Sequence, residues 1–387
     1  MCSPGARQAR PATIQRGDIG RLIVDLKNEG YCVVGPVVRD GAIVYDEVTS
    51  ESDLPAGWSD VQEAGAYRLS QNGRELFNFT VGPQSWKKFL HPPRSLMWRV
   101  ERSEGGLRIA AGEVTTGKLA FLGVRSCELH AMAIQRKVFG MAEQAEAGEA
   151  ARERDVFVVA VDCGRAGGTC FCESMNTGPR ASEGFDLALT EVVDAARHYF
   201  VARAGTERGA MVLESLGAGE ATSEEIAAAE AAIASQMGRT LDTDGIQPLL
   251  YRNYEHPRWD QVAERCLSCA NCTMVCPTCF CSTIEDTTDL TGSTAERRRR
   301  WDSCFTADFS YIHGGSVRQS VKARYRQWLT HKLATWIEQF GGSGCVGCGR
   351  CITWCPAGID LTEEVRAIRA TEYKREENNG DSGTNSI

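Results

Sequence analysis

The sequence predicts an α/β (or α+β) amino-terminal domain followed by a smaller, cysteine-rich domain. Three observations favour this fold class. Apolar runs of strand length alternate with helical patterns before residue 255, cysteine becomes frequent after it, and 387 residues are enough for two or three domains. We expect residues 1–16 to be a flexible arm, 17–255 and 256–372 to be the two domains, and 373–387 to be a disordered tail.

The first domain is expected to open with a helix and a hairpin. Apolar residues at helical spacing from Ile19 end at Gly30, and two apolar runs follow on either side of Arg39-Asp40-Gly41. Further along, 119–123 and 156–161 have the length of buried strands, with a helical pattern between them. This order predicts a β-α-β unit whose loops after the strands are available for a site.

Composition and charge argue against several classes of protein. The net charge of −8 and the pI near 5.5 do not suit a nucleic-acid surface. No stretch approaches the ~20 apolar residues that span a bilayer. The first residues lack the apolar segment of an export signal, so we expect a cytoplasmic protein. In that compartment seventeen cysteines indicate metal ligation rather than disulfides.

The cysteines of the second domain form two similar runs. In each run three cysteines are separated by two residues, and a fourth follows after three more and precedes a proline. Bacterial ferredoxins with two [4Fe-4S] clusters have this spacing, and their fourth cysteine ligates the other cluster. Paired CxxC units also suit zinc, but zinc gains nothing from the extra cysteines and the proline. The predicted ligand sets are therefore Cys266, Cys269, Cys272 and Cys355 for one cluster, and Cys345, Cys348, Cys351 and Cys276 for the other.

A long insertion interrupts this predicted ferredoxin-like dicluster domain. Sixty-eight residues separate Cys276 from Cys345, more than a compact ferredoxin needs. We expect a helical insertion at about 282–340 that includes a basic, aromatic helix over 316–340. The run Arg297–Arg300 is interpreted as a solvated helix face. Together with residues 316–332 it is predicted to dock an acidic partner surface.

The string Thr-Cys-Phe-Cys occurs twice, at 169–172 and at 278–281. The first copy belongs with two cysteines that each follow a strand of the β-α-β unit. Three glycines between 164 and 168 allow the loop to bend tightly. We therefore predict a third [4Fe-4S] cluster, with a zinc site and packed free thiols as the alternatives. Its ligands are Cys127, Cys163, Cys170 and Cys172.

The second copy contributes Cys279 and Cys281, and Cys304 lies in the same insertion. Three thiols are one short of a ligand set, so packing around the neighbouring cluster, or tuning of its potential, is favoured over a fourth metal site. No catalytic residue, nucleotide site or flavin site is expected on this chain. Residues 342–347 spell G-x-G-x-x-G, but they follow a helix and contain Cys345, so the strand-loop-helix context of a dinucleotide site is missing.

Five strings, in this order, resemble a known family: GVRSCELHAM, VDCGRAGGTCFCESMNTGP, RCLSCANCTMVCPTCFC, WDSCF and GCVGCGRCITWCPAGIDLTEE. They are similar to the β subunit of cytoplasmic sulfhydrogenases, which are NAD(P)-linked nickel–iron hydrogenases, and also to the electron-transfer subunit of anaerobic sulfite reductase. The resemblance covers about residues 18–370. It implies an electron-transfer subunit whose partners are the small and large hydrogenase subunits, together with a reductase subunit that binds flavin and NAD(P). In a sulfite reductase a sirohaem subunit takes the place of the hydrogenase subunits.

The sequence thus predicts an iron–sulfur subunit that relays electrons between a nickel–iron module and a subunit that binds flavin and NAD(P). Three alternatives stay open. The chain is the relay of a sulfite or sulfur reductase, a self-contained iron–sulfur oxidoreductase, or a scaffold with structural clusters. Co-purifying nickel or sirohaem distinguishes the first alternative, turnover by the isolated chain the second, and clusters that resist reduction the third.

Overall fold

A computed structural model describes residues 10–112, 117–143 and 155–380, and it mixes helices and sheets as the sequence predicts. Two 3-10 turns, Glu51–Asp53 and Glu173–Met175, and one π-helical turn, His331–Thr335, lie among the described elements. The strands are β1 Ala12–Gln15, β2 Tyr31–Arg39, β3 Ala42–Glu47, β4 Trp58–Glu63, β5 Ala66–Gln71, β6 Arg94–Ser103, β7 Gly106–Ala111, β8 Lys118–Val124, β9 Val156–Val161, β10 Leu187–Val193, β11 His198–Ala204, β12 Gly219–Glu220, β13 Ser282–Thr288, β14 Thr294–Trp301, β15 Tyr311–Ile312 and β16 Gly315–Ser316. The helices are α1 Asp18–Asn28, α2 Lys87–Leu90, α3 Ser126–Glu143, α4 Glu207–Ser215, α5 Ser223–Ala232, α6 Ile246–Arg252, α7 Arg258–Arg265, α8 Asn271–Met274, α9 Val321–Thr330, α10 Trp336–Phe340, α11 Arg350–Thr353 and α12 Leu361–Gly380.

The amino-terminal part is built on an eight-stranded sheet in the order β12-β1-β11-β10-β9-β8-β2-β3. The central strands β10, β9, β8 and β2 pair in parallel, and the flanking strands pair antiparallel. The predicted hairpin is β2-β3, and its turn residues Asp40 and Gly41 both have the positive φ of a tight hairpin turn. Strands β8 and β9 are continuous apolar runs because both faces of this part of the sheet are buried.

The predicted β-α-β unit is present and positions two of the candidate ligands. β8 and β9 are parallel neighbours, and α3 follows β8 directly. Cys127 is therefore the second residue of α3, and Cys163 comes two residues after β9. Because neighbouring parallel strands end at the same edge of a sheet, both cysteines lie at that edge.

The amino-terminal end of the chain differs from the sequence-based expectation. The flexible arm expected over 1–16 is wrong for residues 12–15, which form β1 between β11 and β12 and bury the side chain of Ile14. α12 extends to Gly380, and the disordered tail expected from residue 373 stays a prediction. Residues 1–9 and 381–387 lie outside the described part of the chain. None of the helices within the described ranges is both long and apolar enough to cross a lipid bilayer.

The insertion contains four strands, β13 to β16, in addition to the predicted helix. β13 and β14 join β6 and β7 in a sheet of order β13-β14-β6-β7, so residues 282–301 pair with residues 94–111 of the first part. The run Arg297–Arg300 lies in β14, and its interpretation as a helix face is wrong. Carboxylates of the sheet stabilise these arginines in an extended strand: Arg297 pairs with Asp286 at 2.6 Å across β13-β14.

The remainder of the insertion packs on the dicluster region. The helix predicted over 316–340 starts only at Val321, because Ser316 belongs to β16. It consists of α9, the π-helical turn and α10 in succession, and α9 packs against α7. Tyr325, Trp328 and Leu329 lie on its buried face together with Trp259 of α7. The apolar core formed by these residues also contains Ile352 and partly buried cysteines of both runs. The insertion therefore helps to bury the candidate ligands.

A buried ion pair connects the two parts of the chain. Arg350 of α11 and Glu128 of α3 are 6% and 1% exposed, and Arg350 Nη2 lies 2.8 Å from Glu128 Oε1. Trp86 Nε1 donates a 3.0 Å hydrogen bond to the other carboxylate oxygen, and the Tyr45 hydroxyl donates to the same atom. A charged pair buried this deeply is tolerated because hydrogen bonds satisfy the atoms that the pair leaves free.

Backbone contacts join the same two parts beside the ion pair. Phe171 N donates a 2.8 Å hydrogen bond to Gly347 O, and the hydroxyls of Thr169 and Thr353 lie 2.7 Å apart. A Cβ on Gly349 would lie 2.4 Å from Thr169 O, so only glycine allows this approach without a shift. The loop 163–172 and the second cysteine run are therefore in direct contact.

We expect Gly349→Ala to weaken this contact. Gly349 and Gly341 have nearly the same φ, +73° and +75°, but no atom lies within 4 Å of a Cβ on Gly341. Both alanine variants therefore carry the strain of a positive φ, but only Gly349→Ala also brings a Cβ into a clash with Thr169 O. Overpacking predicts that Gly349→Ala destabilises the fold by about 1–3 kcal/mol more than Gly341→Ala. Thermal unfolding followed by circular dichroism measures the difference, and equal unfolding temperatures for the two variants would contradict the close approach.

Candidate metal centres

The first cysteine run and Cys355 line one cavity. This cavity reaches the surface beside Cys269 and Leu267, both of which are exposed. Cys355 belongs to the second run, so the structure brings together the four cysteines that the spacing assigned to one cluster. The cavity is lined by Cys266, Leu267, Cys269, Ala270, Cys272, Phe305, Tyr325, Trp328, Cys351, Cys355, Pro356, Ala357, Ile359 and Leu361.

Local backbone geometry turns the thiols of the first run inwards. Ser268 and Ala270 have positive φ values of 50° and 64° between the cysteines, and α8 starts immediately afterwards. Ser268 N lies 3.5 Å from Cys266 Sγ as a hydrogen-bond donor. Backbone N–H groups directed at thiolate sulfurs stabilise their negative charge, as iron–sulfur sites require.

The second run repeats this geometry. Gly347 and Gly349 occupy the positions that correspond to Ser268 and Ala270, also with positive φ, and Gly347 N donates to Cys345 Sγ at 3.4 Å. Burial raises the pKa of Cys351 well above its usual value, and the nearby thiols of Cys345, Cys348 and Cys276 raise it further. The fourth cysteine of the first run is therefore close to the three thiols with which the spacing grouped it.

The third predicted set is also brought together. Burial raises the pKa of Cys170 to about 12, with a further contribution from the neighbouring Cys163 thiol. Burial and then the thiols of Cys163 and Cys170 raise the pKa of Cys172, and Cys172 in turn contributes to the raised pKa of Cys127. The structure thus places Cys163, Cys170 and Cys172 near one another, and Cys172 near Cys127, at the sheet edge where β8 and β9 end.

Cys348 lies between the second and third sets. Its thiol contributes to the raised pKa values of Cys127, Cys170 and Cys172, and its carbonyl oxygen lies 3.8 Å from Cys170 Sγ. Cys272 of the first set similarly affects the pKa of Cys351. The three sets therefore follow one another through the protein, from the exposed Cys269 to the loop 163–172.

The donor chemistry fits iron–sulfur clusters. Each set offers four thiols, and thiolates are the usual ligands of [4Fe-4S] clusters. Burial favours the neutral thiol, so a metal that displaces the proton would convert these groups into thiolates. Among the described residues no group of three or more Cys, His, Asp and Glu side chains converges on a single metal-ion position. The first set instead surrounds the cavity described above.

The second Thr-Cys-Phe-Cys string lies against the second set. The thiol of Cys279 forms a hydrogen bond with Cys276, and a hydrogen bond from Cys304 lowers the pKa of Cys281 to about 7. Asp302 N donates to Cys281 O at 2.8 Å and so holds the segment before Cys304 beside the string. The two cysteines of the string are therefore next to a candidate ligand. Their expected role in packing or tuning stays a prediction.

Two buried lysines near this string were missed by sequence reasoning. Lys87 and Lys332 are each 6% exposed; Lys87 Nζ donates to Cys279 O at 3.1 Å, and Lys332 Nζ lies 3.2 Å from Cys276 Sγ. The basic character of residues 316–332 had assigned Lys332 to a docking surface, and its burial shows that this assignment is wrong. Its helical spacing from Tyr325 and Trp328, both buried, is the signal that could have identified it.

The arginine run is largely neutralised within its own sheet. Arg297 pairs with Asp286, Arg298 with Glu296 and Arg300 with Glu285. Arg299 lies over the ring of Phe139, 5.8 Å from its centroid. The run is thus part of the β13-β14-β6-β7 sheet, and docking of an acidic partner there stays a prediction.

Comparison with known proteins agrees with this geometry. Residues 265–359 match the family of 4Fe-4S dicluster domains. The chain is 31% identical over 343 residues to the protein named sulfhydrogenase 2 subunit beta of Pyrococcus furiosus, an alignment that covers 87% of this chain and 92% of that protein. The extent and identity of this match, together with the paired cysteine runs, show that the chain belongs to the family of sulfhydrogenase β subunits, which are iron–sulfur proteins.

Proposed function

We propose that this chain relays electrons between a nickel–iron hydrogenase module and a reductase subunit that binds flavin and NAD(P). The observation that carries the proposal is the continuous succession of three thiol sets, which starts at the exposed Cys269 and passes through Cys348 to Cys170. A relay needs redox groups close to one another and an accessible end, and the succession of sets supplies both. The likeness to a sulfhydrogenase β chain favours the hydrogenase assembly over a sulfite reductase.

In this proposal each set holds one [4Fe-4S] cluster, and a bound cluster supplies one-electron redox chemistry. The protein supplies thiolates, backbone N–H groups directed at sulfur, and an apolar surround that excludes water. Tyr325, Trp328 and Phe305 provide that surround at the first set. The proposed ligand sets are Cys266, Cys269, Cys272 and Cys355; Cys345, Cys348, Cys351 and Cys276; and Cys127, Cys163, Cys170 and Cys172.

The cytoplasm is the compartment that we propose for this assembly. Each cysteine in the described part of the chain is free, including the closely spaced ones of the three sets. A reducing compartment keeps such thiols available for iron, whereas an oxidising one would pair them. The partners are proposed as protein subunits, with neither nucleic acid nor a nucleotide bound by this chain.

Reversible reduction tests the relay directly. Dithionite is expected to bleach the visible absorbance of the anaerobically purified chain and to produce the EPR signals of reduced clusters, since exposed Cys269 gives a route to the first set. Reoxidation should restore the absorbance without loss of iron. Clusters that do not change with dithionite, on a chain with its full iron content, would favour a structural scaffold instead.

Ligand crossover gives a second test, which uses a matched pair of variants. Cys355→Ser is expected to release the first run, because Cys355 lines the cavity with those cysteines, so that Cys266, Cys269 and Cys272 become open to alkylation. Cys276→Ser should instead release Cys345, Cys348 and Cys351. Anaerobic iodoacetamide labelling of the iron-loaded protein, followed by peptide mass spectrometry, identifies the released thiols. If each variant instead exposed the three other cysteines of the run that contains the substituted residue, the fourth ligands would not cross over.

A further inference from the structure

Lys332 is a buried cation without a carboxylate partner. No carboxylate oxygen of the described residues lies within 4.0 Å of its Nζ, and the side chain is 6% exposed. Arg350, the buried cation on the other side of the second cysteine run, is balanced by Glu128 at 2.8 Å. A buried charge that no side chain balances is costly, so Lys332 indicates that an anion belongs beside it.

The contacts of Lys332 show where that anion lies. Its Nζ donates to Thr278 Oγ1 at 2.8 Å, to Gly344 O at 3.3 Å and to Cys276 Sγ at 3.2 Å. An ammonium group has three donors, and each has an acceptor here. Only a protonated amine has three N–H donors to match these three acceptors, so the contacts indicate a charged ammonium group beside the second set.

The backbone fixes this charge in place. Lys332 lies in the π-helical turn His331–Thr335, and its carbonyl oxygen accepts hydrogen bonds from Gly344 N at 2.8 Å and Ser343 Oγ at 3.2 Å. Ser343 and Gly344 immediately precede Cys345, the first cysteine of the second run. π-Helical turns within α-helices are rare and often occur at functional sites. One residue thus holds both chain segments that provide ligands to the second set.

The first set has a different electrostatic environment. The described residues that line its cavity are cysteine, apolar and aromatic side chains, with no lysine or arginine. A fixed positive charge stabilises a cluster more in its reduced state, because reduction adds a negative charge. The two ferredoxin-type clusters are therefore placed in unequal fields although their ligands are the same.

We propose that the Lys332 ammonium raises the reduction potential of the cluster held by Cys276, Cys345, Cys348 and Cys351 above that of the cluster held by Cys266, Cys269, Cys272 and Cys355. This inference rests on the proposed function, since it needs both clusters. Lys332 is a positioning and tuning residue here and takes no direct part in the transfer. An electron that enters at the exposed first cluster then moves on to the second, where it is held more strongly.

The test is an EPR-monitored redox titration of the full-length, iron-loaded chain. In the unmodified protein the two ferredoxin-type clusters are expected to titrate at separate potentials. Lys332→Gln keeps a hydrogen-bond donor and removes the charge, so it should move the higher of these two steps to more negative potential and leave the lower step in place. Lys332→Arg keeps the charge and should keep the separation.

Lys322→Gln is the matched control on the same helical segment. Lys322 is paired with Asp260 at 3.0 Å, outside the cysteine runs, so its loss should move neither step. A Lys332→Gln protein with full iron content and unchanged potentials would overturn the inference and leave the proposed function intact. Fewer than about eight irons per chain in the unmodified protein would instead contradict the proposed function.

A second measurement does not require Lys332→Gln to fold. Cys269→Ser changes an exposed ligand of the first cluster in a protein that retains Lys332. If the inference is correct, this variant shifts or removes the lower step and leaves the higher one. Loss of the higher step, or a single shared potential for both clusters in the unmodified protein, would overturn it.

Discussion

The approach of Cys355 to the first cysteine run, and of Cys276 to the second, is the constraint on which the rest of the fold depends. Cys355 lines the cavity of the first run, 83 residues after Cys272, so the chain must leave that cavity and return to close it. The insertion occupies the interval. It adds β13 and β14 to the strands β6 and β7 of the first part, and α9 to the core around the thiols. The two parts of the chain consequently share the β13-β14-β6-β7 sheet.

Buried charges on both sides of the second cysteine run have different roles. Glu128 and Arg350 neutralise each other at the junction of α3 and α11 and position the second run against the loop 163–172. Lys332 has no such partner and faces thiols. The contrast explains how similar cysteine runs can acquire different properties: the Glu128–Arg350 pair joins the two parts of the chain, whereas the Lys332 ammonium acts on the charge that the second set holds.

Much of this arrangement could be predicted from the sequence because cysteine spacing and strand-length apolar runs are local signals. The β-α-β unit with Cys127 and Cys163 at its strand ends is confirmed, as are the family and the mixed fold. The strand nature of Arg297–Arg300 was missed, since it depends on Asp286 and β6, which are distant in the sequence. Lys332 was missed because composition indicated a basic surface, whereas its contacts with Cys276 and Thr278 arise only in the folded chain.

The central claim is that the whole chain, including its amino-terminal sheet, is one redox relay. Iron and acid-labile sulfide per chain, measured on anaerobically purified protein, test it most directly. Three filled sets predict about twelve irons and twelve sulfides. About eight of each would mean that Cys127, Cys163, Cys170 and Cys172 hold no cluster. The relay would then end at the second cysteine run, and the amino-terminal sheet would lie outside it.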